Sequence, residues 1–336
     1  MDKPFTVGLT YDLLSDYALD ENLPEDAYGE FDSDETLERI EAALEALGYS
    51  FCRIGNMSKL VAFLAGNQKV DVVFNIAEGQ WGRNREAQIP ALLEAYRIPY
   101  TFSDPLTLAI CLDKALTKRL WKLEGLPLAP FHEVKVLADF AAPVDVGLNF
   151  PMFVKPVREG SSIGVRLESI VDNVDQLKAQ VERVLRLYHQ PALVEEFLPG
   201  REFTVGVLGN EERSYVLGVL EVTKVAVTKV NGFEQKKDWK TYGPIAFQPM
   251  PDSLLRQQLA DISLRAYRVL GCRDAARLDI RMDRYGQPQL MEINALSGLS
   301  SHSALPIIAE HAGLTFEALI EEILQNALTR SREFIE

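Results

Sequence analysis

The chain has few cysteines and histidines and no long apolar run. Its 336 residues include four histidines and three cysteines, Cys52, Cys111 and Cys272. An odd number of widely spaced cysteines argues against a disulfide framework and a zinc site, and is typical of the reducing cytoplasm. No apolar stretch approaches membrane-spanning length, and the N-terminus lacks a signal-peptide pattern. We therefore expect a cytoplasmic protein with no membrane partner.

Positive charge is also scarce. The chain has 35 Lys and Arg residues against 49 Asp and Glu residues, a net charge of −14. This balance argues against a surface for nucleic acid or anionic lipid. An anionic ligand would have to be held by local positive groups. The apolar content of 47% and charged content of 25% are those of a globular protein, and the length predicts two or three domains.

The first hundred residues alternate between strand and helix patterns. Strands are predicted at 5–11, 49–54 and 70–75, and helices at 33–48, 58–64 and 86–96. This alternation predicts a parallel α/β domain over residues 1–104. A dinucleotide-binding oxidoreductase is a weak alternative, because no G-x-G-x-x-G pattern follows the first strand.

The remaining chain mixes strands and helices without regular alternation. We predict one helix over 103–124, a second over 171–188, a third over 251–270 and a fourth over 315–328. Strands are predicted at 131–136, 150–155, 192–197, 202–208 and within 214–228, and a long mobile loop at 228–250. Two further lobes are expected, a central one over 105–190 and a C-terminal one over 191–336.

A β-hairpin near the C-terminus carries acidic residues. Apolar and polar residues alternate around 278–282 and 289–293, with the turn sequence Asp-Arg-Tyr-Gly between them. In such a hairpin Asp279, Glu292 and Asn294 can lie side by side on one face. Two carboxylates and an amide oxygen suit Mg²⁺. A solvated acidic strand face is the alternative.

A glycine- and serine-rich segment follows a predicted strand. Lys155 ends that strand, and residues 160–164 contain two glycines and two serines. Glycine lets backbone N–H groups approach an anion closely, and serine adds hydroxyl donors. We favour phosphate binding over an ordinary turn here.

Two adjacent carboxylates end another strand. Neighbouring side chains on a strand point to opposite faces, so either Glu195 or Glu196 can face a pocket while the other faces solvent. One of these, the backbone near Phe197 and Leu198, and Glu202 could accept hydrogen bonds from adenine and ribose. Plain surface acid is an equally good interpretation.

Positive groups accompany these motifs. Arg277 and the N–H of Gly298 flank the predicted metal ligands and could stabilise an oxyanion. His302 is expected to be structural or pocket-lining. Lys114 and Lys118 share a helix face at i, i+4, where solvated charge is the default interpretation.

Five motifs in this order resemble the ATP-grasp superfamily, and most closely the D-alanine–D-alanine ligase family. The resemblance extends from about residue 103 to residue 328. Its specific parts are Asp113-Lys114 with Thr117-Lys118, the segments 125–130, 154–162 and 194–205, and Arg277 to Asp279 with Glu292 to Asn294, Gly298 and 301–303. It implies an α/β and α+β architecture, the three-lobed ATP-grasp fold with an N-terminal parallel α/β (pre-ATP-grasp) domain.

The resemblance also implies roles for individual residues. ATP would be held by Lys114, Lys155, Ser162, Glu195, Phe197, Leu198, Glu202 and Lys240. Two Mg²⁺ ions would be bound by Asp279, Glu292 and Asn294. Arg277 and Gly298 would stabilise the oxyanion, Ser161 would lie with Ser162 on a phosphate-covering loop, and Ser303 would meet the second substrate's carboxylate. A homodimer is expected by the same resemblance.

The implied reaction is ATP-dependent ligation of a carboxylate to an amine. ATP phosphorylates the carboxylate, an amine attacks the acyl phosphate, and an amide, ADP and phosphate result. D-alanine is the default substrate by resemblance only. The alternatives are a ligase for another amino acid or dipeptide, and a non-catalytic ATP-binding regulatory protein.

The first lobe departs from the family pattern. Where the family has a Gly-rich start and a His-Gly segment, this chain has Gly8 to Asp12 and a segment with Glu78, Arg83 and Arg85. We assign these last three to the substrate site, and favour carboxylate binding by the two arginines because they follow a strand's carboxyl end, where α/β proteins bind ligands. Ordinary loop charges are the alternative for Arg83 and Arg85. The phosphate-loop pattern reads Lys240-Thr in place of Lys-Tyr, with Tyr242 as a possible replacement, and Ser297 stands where proline is usual.

Overall fold

The computed structural model describes residues 5–18, 20, 22–140, 147–224 and 245–335. Lys240 and Tyr242 lie outside these ranges. Within them, no helix combines the length and apolar character that crossing a membrane requires.

The N-terminal region is a parallel α/β unit, as predicted. Its strands β1 (Thr6–Thr10), β2 (Ser50–Arg53) and β3 (Val72–Asn75) form a parallel sheet in the order β2-β1-β3. Helices α1 (Asp34–Ala46), α2 (Met57–Ala65) and α3 (Gln88–Ala95) connect and cover it. Ser33 caps α1 by accepting a hydrogen bond from the Thr36 N–H.

Two short helices connect this unit to the rest of the molecule. They are α4 (Pro105–Leu112) and α5 (Lys114–Leu123). The prediction of one continuous helix is wrong, because Asp113 has an extended backbone (φ −86°, ψ 91°). Its carboxylate accepts a hydrogen bond from the Leu116 N–H at 3.0 Å and so caps α5.

The central sheet is antiparallel. It contains β4 (Phe131–Val134), β5 (Met152–Pro156), β6 (Ile170–Val171) and β7 (Ala192–Glu196) in the order β4-β7-β5-β6. Helix α6 (Val174–Leu187) packs on it through Leu177, Val181 and Val184, which the helical period places on one face. Strand β7 belongs to this sheet although it follows the lobe boundary predicted at residue 190.

A larger antiparallel sheet forms the C-terminal region. Its order is β10-β9-β8-β11-β12. The strands are β8 (Glu202–Leu208), β9 (Tyr215–Lys224), β10 (Ile245–Pro249), β11 (Ala275–Met282) and β12 (Pro288–Asn294). Helices α7 (Leu254–Val269), α8 (Ala304–His311) and α9 (Phe316–Ile335) complete the region.

This region confirms the hairpin and corrects three predictions. Residues 245–249 form a strand, not part of a loop, and α8 was not predicted. The last helix extends to residue 335. Helix α8 packs against β8 and β9 where they carry glycine: a Cβ at Gly218 would lie 2.8 Å from Ile308 Cγ2.

Candidate active site

The predicted residues converge on a cavity between the central and C-terminal sheets. Its wall includes apolar and charged side chains from both sheets. The predicted residues that line it are Lys114, Lys155, Ser161, Ser162, Glu195, Phe197, Leu198, Glu202, Arg277, Asp279 and Glu292.

Three lysines and two glutamates form a buried ion cluster at this cavity. Lys118 Nζ lies 2.7 Å from Glu195 Oε1, and Lys155 Nζ lies 3.2 Å from Glu195 Oε2. Glu292 Oε2 lies 3.5 Å from Lys155 Nζ and 3.7 Å from Lys114 Nζ. The ammonium groups outnumber the carboxylates by one, so the cluster favours an incoming anion.

The cluster favours the charged forms of Glu292 and Lys155. Burial would raise the pKa of Glu292, but Lys114, Lys155 and Arg277 outweigh it and lower the pKa to about 2. Burial opposes the charged form of Lys155 too, yet Glu195 and Glu292 raise its pKa above the usual value. For Lys118 burial prevails, and its pKa is lowered despite Glu195.

The interpretation of Lys114 and Lys118 as solvated charge is wrong. Their exposed fractions are 7% and 0%. The break at Asp113 turns the start of α5 toward the cavity, and Lys118 Nζ donates a hydrogen bond to the Leu290 carbonyl at 3.1 Å. Sequence reasoning omitted Lys118 from the site, although its i, i+4 spacing from Lys114 was visible.

The acidic hairpin brings the predicted metal ligands together on one face, with a bulge between Asp279 and Ile280. Asp279 pairs directly with Glu292, and Arg277 pairs with Asn294, so all four lie on the same face of the two strands. Arg277 Nη2 lies 3.0 Å from Asp279 Oδ2. Burial raises the pKa of Asp279, while Arg277 opposes that rise and Glu292 adds to it.

The chemistry of this donor set fits magnesium. Asp279 and Glu292 offer adjacent carboxylate oxygens, and Asn294 offers an amide oxygen on the same face. The buried Nδ2 of Asn294 has no hydrogen-bond partner within the described residues, so that amide is not committed elsewhere through its nitrogen. The described residues contain no group of three His, Cys, Asp or Glu side chains that could hold a metal ion. The two carboxylates alone therefore do not coordinate the ion fully, and Asn294 and oxygen atoms of the nucleotide would complete its coordination.

The glycine- and serine-rich loop also lines the cavity. We call residues 160–164 the Gly/Ser loop. Ser161 and Ser162 both have left-handed backbones, with φ of 46° and 65°. Such backbones cost on the order of 1–3 kcal/mol per residue and persist where the surroundings fix them. The Ile163 N–H donates to the Gly160 carbonyl at 2.8 Å, which closes a tight turn around the serines.

The cavity wall also contains further acidic residues, an arginine and several apolar side chains. Glu195 and Glu196 both reach it, so the expectation that one faces solvent holds only in part; Glu196 accepts hydrogen bonds from Asn149 at 2.7 and 2.9 Å. Arg281 lies 3.9 Å from Glu202. The apolar side chains of the wall include Phe153, Val222, Phe247 and Met291. The sequence does not single out Arg281 or Phe247, the latter because it predicts a loop where β10 lies.

Four predicted residues lie beside the lining residues. Asn294 ends β12. Ser303 precedes the lining residue Ala304, and its Oγ lies 2.8 Å from Ser300 Oγ. Gly298 packs against Ser303, since a Cβ there would lie 2.9 Å from Ser303 Oγ. Arg85 Nη2 lies 3.8 Å from Oε2 of the lining residue Glu159.

The first-lobe residues lie in a charged cluster at the lobe junction. Arg85 is buried and forms an ion pair with Glu30. Glu78 is close enough to this pair that burial and repulsion by Glu30 raise its pKa well above the usual value. Arg83 has a side chain 70% exposed and an ion pair of 3.4 Å with Asp113. None of the three predicted residues lines the cavity itself.

The sequence is similar to that of D-alanine–D-alanine ligases. Residues 120–325 match the family model "D-ala D-ala ligase C-terminus". The chain is 35% identical over 287 residues to a D-alanine–D-alanine ligase of Actinobacillus succinogenes, covering 84% of this chain and 89% of that protein. It is 37% identical over 266 residues to an uncharacterised protein of Sinorhizobium fredii, covering 77% and 75%.

A solved structure shares the fold. It is a D-alanine–D-alanine ligase of Bacillus anthracis, itself in complex with ATP. The TM-score is 0.75 at 21% identity, and the match covers 98% of this chain and 99% of that one.

Proposed function

The chain belongs to the D-alanine–D-alanine ligase family and is an ATP-dependent ligase of that type, and from this premise we propose which residues bind ATP, magnesium and the amino acids. The observation that carries the proposal is the ion cluster in the cavity between the two sheets. Its excess positive charge faces the Gly/Ser loop, a pairing that suits a polyphosphate.

ATP would lie along the cavity. Lys114 and Lys155, with the hydroxyls of Ser161 and Ser162, would hold the phosphates, and Lys240 would add a further positive charge. Apolar side chains of the wall such as Phe153 and Phe247 would receive adenine, with the backbone of Phe197 and Leu198 offering hydrogen bonds. Glu195 and Glu202 would accept hydrogen bonds from the nucleoside. The residues added by the structure are Lys118, which positions Glu195, and Arg281, which lies beside Glu202.

Asp279, Glu292 and Asn294 would hold two Mg²⁺ ions. When bound, these ions neutralise phosphate charge during phosphoryl transfer. Arg277 stands next to the same carboxylates. Its guanidinium and the N–H of Gly298 would stabilise the oxyanion that forms when the amine attacks the acyl phosphate.

The substrates would be small amino acids, in a protein that is cytoplasmic and homodimeric. Several relatives are named D-alanine–D-alanine ligase, so D-alanine is the first candidate. Glu78, Arg83 and Arg85 would contribute to the first amino-acid site, and Ser303 would meet the carboxylate of the second. The altered first lobe keeps a different amino acid or dipeptide as an alternative.

The test is a screen of amino acids and dipeptides, singly and in pairs, for ATP-dependent phosphate release, with the product mass determined. We expect stimulation by a pair of small amino acids and a product lighter than the pair by one water. ATP binding without stimulation by any candidate would favour a regulatory protein. Absence of ATP binding would overturn the proposed site.

A further inference from the structure

A segment of the first lobe contacts the back of the Gly/Ser loop. We call residues 24–32 the strap. Asp26 of the strap is fully buried. Its carboxylate accepts a hydrogen bond from the Gly164 N–H at 2.9 Å, and it accepts the Tyr188 hydroxyl at 3.0 Å. One side chain of the first lobe therefore holds both the end of the loop and the end of helix α6.

A second strap residue supports the start of the loop. Glu30 lies so close to Gly160 that a Cβ there would overlap its carboxylate. The same carboxylate pairs with Arg85, and Arg85 Nη1 donates to the Arg158 carbonyl at 2.8 Å. The strap thus contacts the loop at both ends, at Gly160 and at Gly164.

The loop needs such support. Ser161 and Ser162 lie between these two anchor points with left-handed backbones, which a free chain of these residues rarely adopts. Both side chains line the cavity. A conformation that is unfavourable alone and fixed from outside can present N–H and hydroxyl donors without reorganising when an anion arrives.

We propose that Asp26 is a positioning residue for ATP: through Gly164 and Tyr188 it holds the Gly/Ser loop in the conformation that receives the nucleotide phosphates. This inference rests on the proposed function, because it requires phosphates at the loop. Asp26 touches no substrate in this scheme and acts only through the loop.

The first experiment compares nucleotide binding by variants of the strap. D26A should weaken ATP binding by about tenfold, since it removes hydrogen bonds to a buried carboxylate. AMP, which lacks the outer phosphates, should bind within about twofold of wild type, and the KM for the amino acid should change equally little. D26N keeps one acceptor oxygen and should recover most of the ATP affinity. Y188F removes one donor only and should give an intermediate effect.

The matched control is D20A. Asp20 precedes the strap in the same acidic segment, and its carboxylate accepts hydrogen bonds from the N–H and amide of Asn22. This variant should bind ATP as wild type does. Equal losses for ATP and AMP in D26A, or no loss for either, would overturn the inference.

A second experiment needs no nucleotide. Amide hydrogen exchange in a peptide covering residues 159–165 should be about tenfold faster in D26A than in wild type, because the Gly164 N–H loses its acceptor. Unchanged exchange in folded D26A would contradict the inference. Should D26A not fold, D26N, in which a neutral amide replaces the acceptor carboxylate of the Gly164 N–H, should show a smaller acceleration, and unchanged exchange there would contradict the inference as well. If wild type itself fails to bind ATP, the proposed function falls together with this inference, whereas ATP binding by wild type and D26A alike removes the inference alone.

Discussion

At the scale of single residues, Glu292 has the most demanding position. Its carboxylate faces two lysines, stands directly opposite Asp279, and stays ionised because of that positive surrounding. A neutral side chain there would leave the ammonium groups of Lys114 and Lys155 without this partner. It would also remove one oxygen from the proposed magnesium set.

We predict that Glu292→Ala lowers the rate of phosphate release by at least about 10²-fold, the loss typical of removing one electrostatic contributor to a transition state. The rate should be measured at saturating ATP and amino acid. Glu310→Ala, at an exposed position of α8, is the control and should be unaffected. Phosphate release at the wild-type rate by E292A would exclude Glu292 from the metal site.

Arg83 is the most accessible of the predicted substrate residues. We predict that Arg83→Ala raises the KM for the first amino acid by about tenfold, as expected for losing a charged hydrogen bond, and leaves the KM for ATP unchanged. Arg97→Ala, an exposed arginine of the same lobe, serves as the control. Parallel changes in both constants, or none, would remove Arg83 from the substrate site.

At the scale of elements, the break between α4 and α5 places Lys114 in the cavity wall and Lys118 beside Glu195. Asp113 caps α5 and also pairs with Arg83 at 3.4 Å and Arg158 at 3.3 Å. No glycine or proline marks this break in the sequence. The cap therefore has to be specified by the aspartate itself.

We predict that Asp113→Ala lowers the free energy of unfolding by about 1–2 kcal/mol, the usual cost of losing an N-cap. Asp113→Asn keeps a capping oxygen and should cost less than half as much, although both variants lose the two ion pairs. Urea denaturation of the two proteins measures the difference. Equal losses would assign the effect to the ion pairs and not to the cap.

The same elements show what the sequence could and could not reveal. The hairpin was predictable because strand alternation and a turn sequence are local signals. Its register was not, because a bulge between Asp279 and Ile280 is what brings Asp279 opposite Glu292. The strand β10 was missed because it adjoins a polar, glycine-containing segment. The burial of Lys118 depends on Glu195, which lies far along the chain, so no local pattern around Lys118 distinguishes it from a solvated lysine.

At the scale of the whole molecule, the last helix joins the first lobe to the C-terminal sheet. Arg330 of α9 is paired with the buried Asp274 at 3.1 Å, just before β11. It also donates hydrogen bonds to the carbonyls of Tyr100 and Phe102, at 2.6 and 2.7 Å. Three parts of the chain thus meet at one guanidinium.

We predict that Arg330→Ala lowers the free energy of unfolding by about 3–5 kcal/mol, because it leaves a buried carboxylate without its partner. Arg330→Ala combined with Asp274→Asn should be less destabilised than the single variant, since the unpaired charge is gone. Chemical denaturation monitored by tryptophan fluorescence makes the comparison. A double variant as unstable as the single one would contradict this account.

Gly218, which does not line the cavity, is connected to the cavity wall through helix α8. Helix α8 rests on it through Ile308, and the same helix begins at Ala304, a lining residue. A methyl group at Gly218 would push against Ile308 in α8. Because a short helix moves as a rigid body, the start of α8 at Ala304 would shift too. Substitutions beneath α8 would therefore change the shape of the cavity at Ala304. Substrate preference could change in this way without any substitution of a residue that contacts the ligand.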